Sequence, residues 1–146
     1  MRDFYDTSIL VAAFREDHPD HSASIKLLSR ADKRHSACAV HSLAEFYAVM
    51  SVMPVRPVIP PEQVLLFIQE IRDRCTVITL DENEYFETIR ATAENGFVSG
   101  RVYDALLLRC AVKSKATTIY TWNLKHFHAL APELAARIRA PQLTRP

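Results

Sequence analysis

Short apolar runs with strand character recur along this chain, each separated from the next by a segment with helical spacing. The runs are RDFYD (Arg2 to Asp6), HSACAV (His35 to Val40), TVITL (Thr76 to Leu80) and TTIYT (Thr117 to Thr121). Brief stretches rich in β-branched, aromatic or small apolar side chains suit buried strands. Between them lie segments such as EQVLLFIQEIRDR, whose apolar residues Val64, Leu65, Ile68 and Ile71 fall on one helical face. Strands that alternate with helices imply parallel βαβ units. The expectation is therefore an α/β fold in one domain over residues 1–146, with a central parallel sheet of four or five strands flanked by helices. In such open sheets, sites form beyond the C-terminal ends of the strands.

The helices can be placed from their punctuation. Thr7 and Ser8 are good N-cap types ahead of Ile9 to Phe14. Asp20 to Ser29 reads as a second helix. Ser42 can cap a helix over Leu43 to Met53, which puts Glu45 in its first turn. Asp81 to Asn95 is helical with Gly96 as the C-cap, and a further helix spans about Gly100 to Lys113. PVRPVIPP (Pro54 to Pro61) holds four of the eight prolines and reads as a connector. ELAARIRA suits a final short helix, and residues 141–146 a loose tail.

Three acids stand alone within apolar surroundings. Asp6 sits in FYDTSILVAAF and Asp104 in VYDALLL, while Glu45 is the only charged residue between Arg34 and Arg56. A lone carboxylate is costly to bury, so it pairs, protonates or binds a cation. Two carboxylates about 4 Å apart repel by roughly 4 kcal/mol at an effective dielectric near 20. Acids clustered this way therefore raise their pKa values or share a divalent ion, and carboxylate oxygens suit Mg²⁺ or Mn²⁺. The bland alternative is that each acid caps a helix or meets a distant Arg separately.

Four stretches carry a family likeness: DTSIL at Asp6, SLAEFY at Glu45, SGRVYDALLLRCA around Asp104 and IYTWNLKHF around Asn123. In this order the chain resembles the PIN-domain ribonucleases, and most of all the VapC-like toxins of bacterial and archaeal toxin–antitoxin pairs. The resemblance implies a single PIN-like domain and a Mg²⁺- or Mn²⁺-dependent endoribonuclease that cleaves RNA phosphodiester bonds with metal-activated water. It also implies a small cognate antitoxin and a homodimer; the cysteine usage suits a cytoplasmic setting, and no membrane partner is expected. Asp6, Glu45 and Asp104 match the family's three principal acidic positions and would hold the metal. Asn123 stands at the fourth, where an acid is commonest, and completes the catalytic set without adding charge. Thr7, Ser8, Lys125 and His126 are candidates for substrate contact. A catalytically weak PIN-like module that binds an antitoxin or RNA is the alternative.

Other features narrow the classes. The net charge of +1 hides an asymmetry: residues 1–100 hold 15 acids against 10 bases, and residues 101–146 hold 2 against 8. A basic C-terminal third could attract a polyanion, with Lys113, Lys115, Lys125, Arg137 and Arg139 as candidate phosphate contacts. Trp122 and Tyr103 could stack on unpaired bases, although core or interface roles suit them better. No apolar run approaches the roughly 18 residues of a membrane span, and Met-Arg-Asp leads directly into a strand-like run with no signal peptide. Cys38, Cys75 and Cys110 lack metal-site spacing and read as buried reduced thiols. Two glycines exclude a Gly-rich phosphate cradle, and no nucleophile elbow occurs. His18 and His21 lie three apart but have no third ligand nearby, so surface roles are expected. A phosphatase-like enzyme using Asp6 as nucleophile lacks the second Asp two residues on, where Ser8 stands.

Overall fold

The structure is a computed structural model and describes residues 1–52 and 58–142. Five strands form one sheet: β1 (Asp3–Tyr5), β2 (Ser36–Ala39), β3 (Thr76–Ile78), β4 (Thr118–Tyr120) and β5 (Ile138–Arg139). Their order is β3-β2-β1-β4-β5, and every pairing is parallel. Seven helices complete the described part: α1 (Thr7–Phe14), α2 (His21–Ser29), α3 (Val40–Met50), α4 (Pro61–Arg74), α5 (Glu82–Glu94), α6 (Arg101–Ser114) and α7 (Leu124–Leu130).

The central strands are apolar on both sides because helices cover both faces of the sheet. Phe4, Ala37, Ala39 and Ile119 point into a core with Leu107, Ala111 and Phe127. Tyr5 and Cys38 point the other way, into a core with Ile9, Leu10, Phe46, Val64 and Ile71. Phe46 is fully buried, with Phe14 edge-on at 5.6 Å. Burying one such ring contributes about 2–3 kcal/mol before the entropy of ordering it. The three cysteines are all buried and unpaired.

Chain order runs outward from β1 through β2 to β3, then returns to place β4 on the other side of β1. Two neighbouring strands whose connections leave in opposite directions open a crevice at their C-terminal ends. Here that crevice lies between Tyr5 and Tyr120, the last residues of β1 and β4.

Several local expectations are corrected. The N-cap of α1 is Asp6, not Thr7 or Ser8, and its carboxylate accepts from the Ser8 backbone amide. Helix α3 begins at Val40, three residues before the expected start, and has no acid in its first turn. Glu45 thus lies too far along α3 to serve the helix dipole, and Ser42 is not a cap. Pro61 belongs to the first turn of α4, where its missing N–H costs nothing. Val58 to Pro60 of the proline-rich connector form neither helix nor strand, while residues 54–57 of it, and Met53 of the expected third helix, lie outside the described residues. The expected C-terminal helix is absent. A single 3-10 turn (Pro132–Leu134) leads into β5, whose Ile138 is buried beside Ile119 of β4. Helix α7 was not anticipated. Of the expected loose tail, residues 143–146 lie outside the described residues. The helix expected over Asp81 to Asn95 is present as α5: Asp81 caps it in a reciprocal capping box with Glu84, and the C-cap is Asn95, with Gly96 one residue beyond at φ +76°.

Candidate metal and nuclease centre

Asp6 emerges at the C-terminal end of β1, and Thr121, Trp122 and Asn123 follow β4 across the crevice. Helix α3 leans Glu45 over this edge, and the first turn of α6 contributes Asp104. Asp6, Glu45, Asp104, Trp122 and Asn123 line one cavity of about 350 Å³, whose wall also includes Thr7, Ser8, Val11, His18, Asp20 and Val49; Thr121 is fully buried. Residues separated by up to 117 positions in sequence meet at this sheet edge. The electrostatics agree, since Asp6 and Glu45 both raise the pKa of Asp104.

Asp6 is buried and held by a directed hydrogen-bond network. Its Oδ2 accepts from Ser8 Oγ at 2.7 Å, Thr121 Oγ1 at 2.8 Å and the Ser8 amide at 3.4 Å. Each hydroxyl in turn accepts from a backbone amide: Trp122 N to Ser8 Oγ at 3.0 Å, and Asn123 N to Thr121 Oγ1 at 2.9 Å. A hydroxyl that accepts from an amide has its own proton free to donate, and both protons go to Asp6. Burial still dominates and raises the Asp6 pKa above the usual carboxylate value, against the pull of these donors.

The helical wall is looser. Burial raises the Asp104 pKa most, with Asp6 and Glu45 adding to it, up to about 6. His126 and Arg101 pull the other way. Glu45 is likewise raised, by burial and then by Asp6. Its Oε1 accepts from Thr7 Oγ1 at 3.3 Å and lies 3.5 Å from His41 Nε2. His41 also stacks on Tyr103 at 5.2 Å, tying α3 to α6 beside the two acids.

The donor set is three carboxylates and one amide, all hard oxygen donors, which fits Mg²⁺ or Mn²⁺. Among the described residues, no three His, Cys, Asp or Glu side chains are drawn together into a metal-holding cluster. The acids line a shared cavity rather than a closed cage, as expected of like charges facing one another.

Of the remaining predicted residues, Thr7, Ser8 and Asn123 line the cavity, while Lys125 is exposed on α7 away from its wall. His126 is exposed and near enough to act on Asp104. Lys113 is tied to the Thr79 carbonyl and to Glu84 on α5. Trp122 is half-buried, with its indole N–H donating to Ser24 Oγ at 2.9 Å. Sequence reasoning missed Thr121, which bonds Asp6, and Asp20. His18, expected at the surface, is part-exposed and lines the cavity.

Fold and site together define an open, parallel α/β domain with an acidic cavity at its topological switch point. The chain belongs to the PIN-domain family, whose model matches residues 4–131. It is 30% identical over 102 residues to "Ribonuclease VapC40" of Mycobacterium tuberculosis, covering 70% of this chain and 72% of that protein. Solved structures share the fold. VapBC2 from Rickettsia felis, bound to a DNA fragment from its promoter, gives a TM-score of 0.64 at 21% identity, covering 97% of this chain and 100% of that one. Mycobacterium tuberculosis VapC20, described as a sarcin–ricin loop cleaving toxin, gives 0.70 at 15% identity, covering 87% and 94%. No helix among the described residues is long and apolar enough to cross a membrane.

Proposed function

We propose that this protein is a metal-dependent endoribonuclease and the toxin of a toxin–antitoxin pair. The observation that carries the reading is the convergence of Asp6, Glu45 and Asp104 on one cavity at the sheet's switch point. The similarity to a VapC ribonuclease and to VapBC complexes supports the activity and the antitoxin partner. Asp6, Glu45 and Asp104 would hold Mg²⁺ or Mn²⁺, with the Asn123 carbonyl as a neutral fourth donor. Asp6 would offer Oδ1, because Oδ2 already accepts three hydrogen bonds. A divalent ion held there lowers the pKa of a bound water and offsets charge on the phosphoryl group. Ser8 and Thr121 keep Asp6 oriented, and Thr7 steadies Glu45. Exposed apolar side chains on α3 and α4 (Tyr47, Val49, Leu65, Leu66) and on α5 (Tyr85, Phe86) supply surface of the right chemistry for an antitoxin and a second copy.

Asp104→Asn should lower RNA cleavage on the order of a hundredfold or more and relieve growth inhibition, while circular dichroism shows an intact fold. Cleavage at the parental rate would remove Asp104 from the mechanism. A second reading, a PIN-like module that binds without cutting, is favoured by one observation, the Asn at position 123. Calorimetric titration with Mn²⁺ separates the two: no binding at millimolar metal, with or without RNA, supports the module.

A further inference from the structure

The cavity wall is acidic, yet on the ribonuclease reading it must receive a phosphodiester anion. Besides a cation, that anion needs hydrogen-bond donors, and most side-chain donors in the wall are already committed. Ser8 Oγ donates to Asp6. Thr7 Oγ1 donates to Ser42 Oγ at 2.8 Å and faces Glu45. The Trp122 indole N–H donates to Ser24. Val11 and Val49 have nothing to donate, and ionised Asp6, Asp20, Glu45 and Asp104 only accept. Among the described lining residues, Asn123 and His18 remain.

His18 is set up as a donor by its own loop. The Asp20 backbone amide lies 3.0 Å from His18 Nδ1. A backbone amide can only donate, so Nδ1 keeps its lone pair and the ring proton sits on Nε2. The Asp20 carboxylate, 4.0 Å from the same nitrogen, is too distant to reverse this. The His18 amide donates to the Arg15 carbonyl and its carbonyl accepts from the His21 amide, both at 3.0 Å, so backbone and ring are fixed together. His21 is committed the opposite way. Its Nδ1 lies 2.9 Å from the Ala12 carbonyl, which only accepts, so that nitrogen carries the proton and clamps α2 to α1. The two histidines are neither a ligand pair nor idle surface.

We propose that His18 presents Nε2–H to a non-bridging phosphate oxygen of RNA in this cavity, sharing that task with Asn123. A neutral donor suits the place. Lys or Arg would pair with the acids and compete with the cation, whereas imidazole binds the phosphate without doing either. The inference rests on the ribonuclease reading. In Mn²⁺-supported cleavage of a single-stranded RNA oligonucleotide, His18→Ala should raise KM about tenfold with a smaller change in kcat. Its Mn²⁺ affinity by calorimetry should be unchanged. His18→Gln, which restores an N–H at similar reach, should recover most of the loss. Anisotropy with a non-cleavable 2′-O-methyl RNA should repeat the pattern without turnover. A parental KM in His18→Ala overturns the proposal. So does an equal loss of Mn²⁺ affinity, or a Gln variant no better than Ala. A parental protein that neither binds nor cleaves the RNA instead brings down the ribonuclease reading, and the parental measurement alone reveals it.

Discussion

The two walls of the acidic cavity are built differently. On the strand wall, Asp6 is buried and takes three hydrogen bonds on one oxygen, two from Ser8 at the start of α1 and one from Thr121 just past β4. On the helical wall, Glu45 and Asp104 are half-buried and have few partners; Asp6 raises the pKa of both, and Glu45 raises that of Asp104 further. The strand acid is part of what holds the sheet edge together. The helical acids are tolerated by the fold and cost it stability. If this contrast is right, removing an acid should act in opposite directions on the two walls.

The largest effect should fall on the strand wall. Asp6→Ala removes the α1 N-cap and leaves the directed hydroxyls of Ser8 and Thr121 without their acceptor. A lost cap costs about 1 kcal/mol and each buried orphan about 1–3 kcal/mol. Relief of the buried charge offsets part of this, leaving an expected loss of about 2–3 kcal/mol in urea unfolding of the metal-free protein. A stability equal to the parent would show that the network is ornamental.

The same contrast explains what could be read from sequence. Asp6, Glu45 and Asp104 were legible because each is isolated in an apolar stretch, which signals cost without naming the partner. β1 to β4 were legible as compact apolar runs. β5 was not: Ile138 and Arg139 lie in AARIRA, which fits a helix equally well, and only pairing with β4 decides for a strand. Helix α7 carries a readable spacing at Leu124, Phe127 and Leu130, obscured by its place immediately after the site motif. Thr121 and His18 could not have been found. Their roles depend on β4 lying beside β1 and on the α1–α2 loop folding over the cavity, neither of which local pattern encodes.

On the helical wall the sign should reverse. The folded pKa of Asp104 is about 6 against an ordinary 3.8. A raised carboxyl pKa means the native state holds its proton to higher pH than the unfolded chain does. The contribution of Asp104 to the stability of the metal-free protein therefore falls as pH rises from about 4 to about 6 and is level above that. Asp6 and Glu45 act in the same direction. Asp104→Asn should thus stabilise the metal-free protein at pH 7 by about 1 kcal/mol, discounted for solvent screening of a half-exposed group. The gain should vanish at pH 4, and saturating Mn²⁺ should reverse it by stabilising the parent more. Unfolding curves in chelator at the two pH values test this. An equal gain at both would assign the effect to packing rather than charge.

The smallest effect isolates one bond between the strands. Thr121 Oγ1 joins the end of β4 to Asp6 at 2.8 Å and accepts the Asn123 amide at 2.9 Å. Thr121→Val keeps the shape, removes the donor and leaves that amide without its acceptor, so about 1 kcal/mol of stability should be lost. With Asp6 less firmly oriented, Mn²⁺ affinity should fall about threefold, the equivalent of a fraction of one hydrogen bond. Thr121→Ser restores the hydroxyl without the methyl group and should recover the metal affinity, with at most a small packing loss. If Ser and Val weaken Mn²⁺ alike, the methyl group matters and the hydroxyl does not. Orientation of Asp6 would then rest on Ser8 and the α1 cap alone, and the strand wall would owe its order to one strand rather than two.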